Sequence, residues 1–125
     1  MNELKDKRVL VVDDEEMLRE VLTDALQMMG ADVLAAPNGT VALALIRQSR
    51  PQLVITDIRM PDGDGLFLLA AIMSDPLPRP QVIVCTAFGD IDESEALARG
   101  AYALFMKPFE WRSFRKALVD AVTNP

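Results

Sequence analysis

The chain has 125 residues, 50% of them hydrophobic and 26% charged, with a formal net charge of −6 and no histidine. That length fits one compact domain, which can bury roughly two-thirds of its unfolded surface without disulfides or a structural metal. The acidic balance leaves no basic stripe for direct contact with nucleic acid, and the missing histidine removes Ser-His-Asp triads, Cys-His pairs and histidine zinc sites. Chemistry here must be run by carboxylates, hydroxyls and lysine. The opening MNELKDKR is charged and lacks the apolar stretch of a signal peptide. No apolar run approaches the ~20 residues of a membrane span. Cys85 stands alone inside the apolar run 81–85, which predicts a buried thiol in a reducing compartment. A cytoplasmic protein without membrane contact is expected.

In chain order, residues 9–12 are a continuous apolar run closed by Asp13 and Asp14. Met17, Leu18, Val21, Leu22, Ala25, Leu26 and Met29 then recur at helical spacing and stop at Gly30, a plausible residue just past a helix end. Residues 33–36 make a weaker strand, closed by Pro37-Asn38-Gly39. Val41, Ala42, Leu45 and Ile46 form a second helical stripe ahead of Pro51. Residues 53–55 are the next apolar run, closed by Asp57, and 66–73 are apolar almost all round. On that helix Leu66, Leu69 and Met73 are expected to face the core, leaving Phe67 and Ala71 nearer solvent. Residues 82–85 lead to Thr86, the polar stretch 91–99 follows, and 103–106 lead to Lys107. Trp111, Phe114, Leu118 and Val122 make the last stripe. Short runs apolar on both faces, alternating with helices, predict an α/β fold with a buried parallel sheet and right-handed crossovers.

The polar residues that close these strands carry the information. Ligands of open α/β sheets bind beyond the carboxyl ends of the strands, so Asp13, Asp14, Asp57, Thr86 and Lys107 can converge on one edge. Each has an ordinary reading by itself: Asp13 or Asp14 as a helix cap, Asp57 as a turn residue, Thr86 as a cap, Lys107 as a solvated strand end. Together they are harder to dismiss, because no core requires acids at two strand ends and a lysine at a third. Two unit charges ~4 Å apart repel by about 4 kcal/mol at an effective dielectric near 20. A cation among the carboxylates offsets that cost. An all-oxygen ligand set with room for water and phosphate suits Mg2+. A metal, a lysine and a hydroxyl are the parts phosphoryl transfer uses, and an aspartate there can act as nucleophile.

The motifs VLVVDDE, LVITDIRMPDGDG, VIVCTAFGD and FMKPF, in that order, resemble bacterial response-regulator receiver domains over essentially the whole chain. The resemblance implies one receiver domain over 1–125 and a flavodoxin-like, doubly wound fold: a five-stranded parallel sheet of order 2-1-3-4-5 with five helices. It implies that Asp57 is the phosphoacceptor. Asp14 would be a direct Mg2+ ligand, Asp13 would orient the metal's waters, and Asp57 and the backbone carbonyl of Arg59 would complete the metal site. Thr86 would move its hydroxyl onto the phosphoryl group, Lys107 would pair with it, and Lys107-Pro108 would be cis. The implied role is signalling, not enzymatic turnover of a substrate. The implied partners are a histidine kinase or phosphotransfer protein as donor, an output domain or protein downstream, and a second copy on activation. Two other readings compete: a pseudo-receiver that only docks, and an Mg2+-dependent phosphohydrolase with an aspartate nucleophile. The first is opposed by the intact acids and Lys107. The second is opposed by Arg59 two residues after Asp57, where D-x-D is usual, and by the lack of length for a cap domain. One departure stands out: Leu104 occupies the position, three before the lysine, where the family usually carries Tyr or Phe. Tyr102 is expected on the same strand face.

Overall fold

The computed structural model describes residues 2–76, 78–87 and 89–123. Five strands alternate with five helices: β1 (Arg8–Val12), α1 (Glu16–Met28), β2 (Asp32–Ala36), α2 (Gly39–Ser49), β3 (Leu53–Asp57), α3 (Gly65–Ser74), β4 (Gln81–Thr86), α4 (Glu93–Ala98), β5 (Ala103–Met106) and α5 (Trp111–Thr123). All pairings are parallel and the sheet order is β2-β1-β3-β4-β5, as the resemblance implies. Successive strand residues point to opposite faces, and both faces are covered. Leu10, Val12, Val54, Val82 and Val84 pack with Ala42 and Ile46 of α2 and with Leu68, Leu69 and Ile72 of α3. Val9, Val11, Leu53, Ile55, Ile83 and Cys85 pack with Leu26 of α1 and with Phe114 and Leu118 of α5. Each fully buried large side chain contributes roughly 1.5–3 kcal/mol, so the two layers together supply the main driving force for folding.

Three expectations need correction. The α1 stripe is not all core: Leu26 and Met29 are buried, but Met17 and Val21 are 78% and 65% exposed. The stripe is wider than the contact the sheet offers, so only one edge of it is covered. On α3 the buried residues are Leu68, Leu69 and Ile72, with Leu66 and Met73 only partly covered. A helix reading GLFLLAAIMS is apolar on every side, and its sequence carries no phase to read. Phe67 is exposed, as expected. Tyr102 lies in a bend just before β5 and packs with the α1/α5 layer, whereas Leu104 packs with the α2/α3 layer. Strand alternation cannot be extended to a residue outside the strand. No helix among the described residues is long and apolar enough to cross a membrane.

Candidate phosphoacceptor and metal site

The sheet order puts the ends of β1 and β3 side by side at the centre of the molecule, with β4 and β5 beyond. The connections that follow β1 and β3 leave towards opposite neighbours, β2 and β4, which opens a crevice at the carboxyl edge. Asp13 and Asp14 follow β1. The Asp13 N–H donates to the Ala36 carbonyl (3.2 Å), and its carboxylate Oδ1 accepts from the Glu15 N–H (2.9 Å). Asp13 is thus not the cap of α1, whose N-cap is Glu15 without a side-chain cap bond: one Asp13 oxygen shapes the turn ahead of the helix, and the other is left for the crevice. The Arg19 guanidinium donates to the Asp13 carbonyl (2.7 Å) and braces the same turn.

Asp57 is the last residue of β3, two past the apolar run 53–55, and Thr86 ends β4, one past the run 82–85. Asp57 Oδ1 accepts from the Ile58 N–H (2.8 Å). The chain then turns through left-handed Asp62 and Gly63 and returns, with the Gly65 N–H on the Ile58 carbonyl (2.8 Å) and Asp64 capping α3 through the Phe67 N–H (2.8 Å). A Cβ at Gly65 would stand 2.1 Å from the Asp57 carbonyl oxygen, so only glycine lets α3 start this close to the end of β3. Thr86 is fully buried, on the strand beside Asp57.

Lys107 follows β5. Its N–H donates to the Thr86 carbonyl (2.8 Å), and its Nζ donates to Asp13 Oδ2 and Asp57 Oδ2, 3.2 Å each. Lys107-Pro108 is cis. Behind it, Phe109 stacks on Phe114 with ring centres 4.3 Å apart, and Phe105 meets both edge-on. These rings fix the segment that carries the ammonium.

Carboxylate oxygens of Asp13, Asp14 and Asp57 lie within 4.8 Å of one another, close enough for one metal ion. The set is anionic oxygen throughout, with Asp14 exposed and Asp57 half-buried, which fits a hard divalent cation that keeps some of its water. Burial raises the Asp57 pKa above the ordinary aspartate value. Lys107 and the Ile58 N–H pull it down without cancelling that rise, and Asp13 adds to it. Burial works against the Lys107 charge, but the Asp13 and Asp57 carboxylates hold its pKa above the usual lysine value. Cys85, in register with Asp57, is pushed up to about 12, chiefly by burial. It is an inert thiol at neutral pH. A groove of about 710 Å3 leads to this site, walled by Leu18, Val21, Leu22, Phe109 and Trp111, with Asp13, Asp57 and Lys107 also lining it.

Residues 9–119 match the response regulator receiver domain family. The chain belongs to that family. The receiver is 38% identical over 104 residues to the regulatory protein AtoC of Escherichia coli, covering 82% of this chain and 22% of AtoC. It is 30% identical to sporulation initiation phosphotransferase F of Bacillus subtilis, covering 92% of this chain and 93% of that one. A receiver domain structure from Clostridium thermocellum superposes with a TM-score of 0.85 at 29% identity, covering 94% of each chain. The chain thus spans about a quarter or less of the length of AtoC and of FleR from Pseudomonas aeruginosa.

The receiver's strand ends bring Asp13, Asp14, Asp57 and Lys107 together, and Thr86 stands one strand away. The Arg59 side chain turns outward to Asp90. Sequence reasoning missed Arg19 and Asp90. Both act through contacts between residues on separate loops or on a loop and a helix, and neither interrupts an apolar pattern that could have drawn notice.

Proposed function

We propose that residues 1–125 form a single cytoplasmic receiver domain that accepts a phosphoryl group on Asp57 from the phosphohistidine of a histidine kinase or phosphotransfer protein. The observation that carries this reading is the convergence on one crevice of three carboxylates and a lysine from separate strand ends. An Asp57 oxygen attacks phosphorus and the bond from phosphorus to the donor's ring nitrogen breaks, its electron pair staying on that nitrogen; with the donor's other ring nitrogen already protonated from solvent, the ring leaves as neutral imidazole. The product is an acyl phosphate. Asp13, Asp14, Asp57 and the Arg59 carbonyl hold Mg2+, which, when bound, neutralises charge on the phosphoryl oxygens. Lys107 already touches the Asp57 oxygen that faces the crevice and is placed to follow the charge onto the phosphoryl group. The buried Thr86 hydroxyl supplies a hydrogen bond to the same group in the active form. The domain catalyses only its own phosphoryl transfer and hydrolysis. Its output goes to a downstream domain or protein, with pairing to a second copy on activation.

The donor reaches Asp57 along the groove walled by α1 and the start of α5, where Leu18, Val21 and Trp111 offer exposed apolar contact. Incubation with a small acyl-phosphate donor should add one base-labile phosphoryl group in Mg2+ and almost none in chelator. Intact-mass spectrometry reads both, and Asp57→Asn should gain nothing under either condition. Equal uptake by the variant would remove Asp57 from this role.

A further inference from the structure

We infer that Asp90 is a positioning residue, which through Arg59 restrains the connection carrying Thr86 and so opposes phosphoryl-group capture. This inference rests on the reading of Asp57 and Thr86 given above. Arg59 lies two residues after Asp57, on the β3–α3 connection. Asp90 lies four residues after Thr86, on the β4–α4 connection. The Arg59 Nε donates to both Asp90 oxygens at 3.1 Å and its Nη2 to Oδ1 at 2.7 Å, a two-pronged guanidinium–carboxylate pair. The Arg59 side chain is 59% exposed and that of Asp90 21%, so the pair lies at the surface and is partly covered at its acid end.

Beyond the strand ends the two connections have few sheet bonds to keep them in step: the Ile58 N–H still reaches the Cys85 carbonyl at 3.2 Å. The Arg59–Asp90 pair is a direct tie further out. Thr86 is buried at 0% exposure, and on the reading above its hydroxyl moves to meet a phosphoryl group on the neighbouring strand. Asp90, four residues on, is held by three hydrogen bonds from the Arg59 guanidinium on the loop after Asp57. Stretching or breaking them opposes the shift.

The test is titration of the full chain with beryllofluoride and Mg2+, followed by amide NMR. Asp90→Ala and Arg59→Gln should each tighten beryllofluoride binding roughly two- to five-fold, the scale of a partly exposed ion pair. Asp90→Glu, which keeps the carboxylate, should return towards wild type, and the difference should shrink as salt is raised. Unchanged or weaker binding by Asp90→Ala would overturn the inference. Tightening by Asp90→Ala alone would overturn it too, since the effect would then belong to a freed guanidinium. If the wild type binds no beryllofluoride, or Asp57→Asn binds it as well as the wild type, the phosphoacceptor reading itself fails.

Discussion

At the scale of single residues, the site stores unfavourable charge. Asp57 binds its proton more tightly in the folded chain than an ordinary aspartate does, because burial outweighs Lys107 and the Ile58 N–H. A carboxyl of that kind takes up protons on folding, so its share of stability is greatest at low pH and is lost as pH rises through its raised pKa. With metal chelated, Asp57→Asn should therefore melt higher than the wild type near neutral pH, and the advantage should fade below about pH 4. Thermal denaturation across that range measures it; a variant that melts lower at neutral pH would contradict the account. The individual acids and Lys107 were legible because each breaks an apolar run. Their pairing was not, because Asp13 and Lys107, 94 positions apart, become neighbours only through the sheet order. Asp13 divides its carboxylate between a turn bond from the Glu15 N–H and an ion pair with Lys107.

At the scale of elements, α3 starts hard against the end of β3. Its first residue, Gly65, abuts the Asp57 carbonyl, whereas Phe67 two positions on is 47% exposed. Gly65→Ala should cost more than about 2 kcal/mol, since backbone atoms must move to admit the methyl group. Phe67→Ser should cost less than about 0.5 kcal/mol. Chemical denaturation of both variants checks the pair, and a large loss with Phe67→Ser would place that ring in the core. Strands were easy to find in the sequence because burial on both faces writes them as unbroken apolar runs. The phase of α3 and the outer edge of α1 were not, since in both the apolar surface exceeds what the sheet covers. On α1 the surplus walls the groove beside Asp57, where a partner can use it. Leu4 is a smaller case of the same blindness: it is fully buried, with its N–H on the Met29 carbonyl, in a stretch that reads as charged.

At the scale of the whole molecule, the question is how an event at Asp57 is felt elsewhere. Helix α4 has six residues, fewer than the other four helices, and buries Ala96 alone. Leu104 on the neighbouring strand joins the α2/α3 layer and has only packing contacts to offer in place of an aromatic ring. Activation should therefore shift amides of α4 and β5 on addition of beryllofluoride and Mg2+. Shifts confined to residues around Asp14, Asp57 and Lys107 would argue against transmission along this route. The fold as a whole was legible because strict strand–helix alternation admits few topologies, and four motifs resembling one family selected among them. What the sequence could not supply was the layer each side chain joins near strand ends, as Tyr102 demonstrates. The central claim is that Asp57 is the residue that takes the phosphoryl group. Borohydride reduction of the phosphorylated chain, which converts an aspartyl phosphate to homoserine, followed by peptide mass spectrometry, tests it most directly. The account predicts homoserine at position 57 and at no other aspartate; homoserine at Asp13 or Asp14, with an unmodified Asp57, would contradict it.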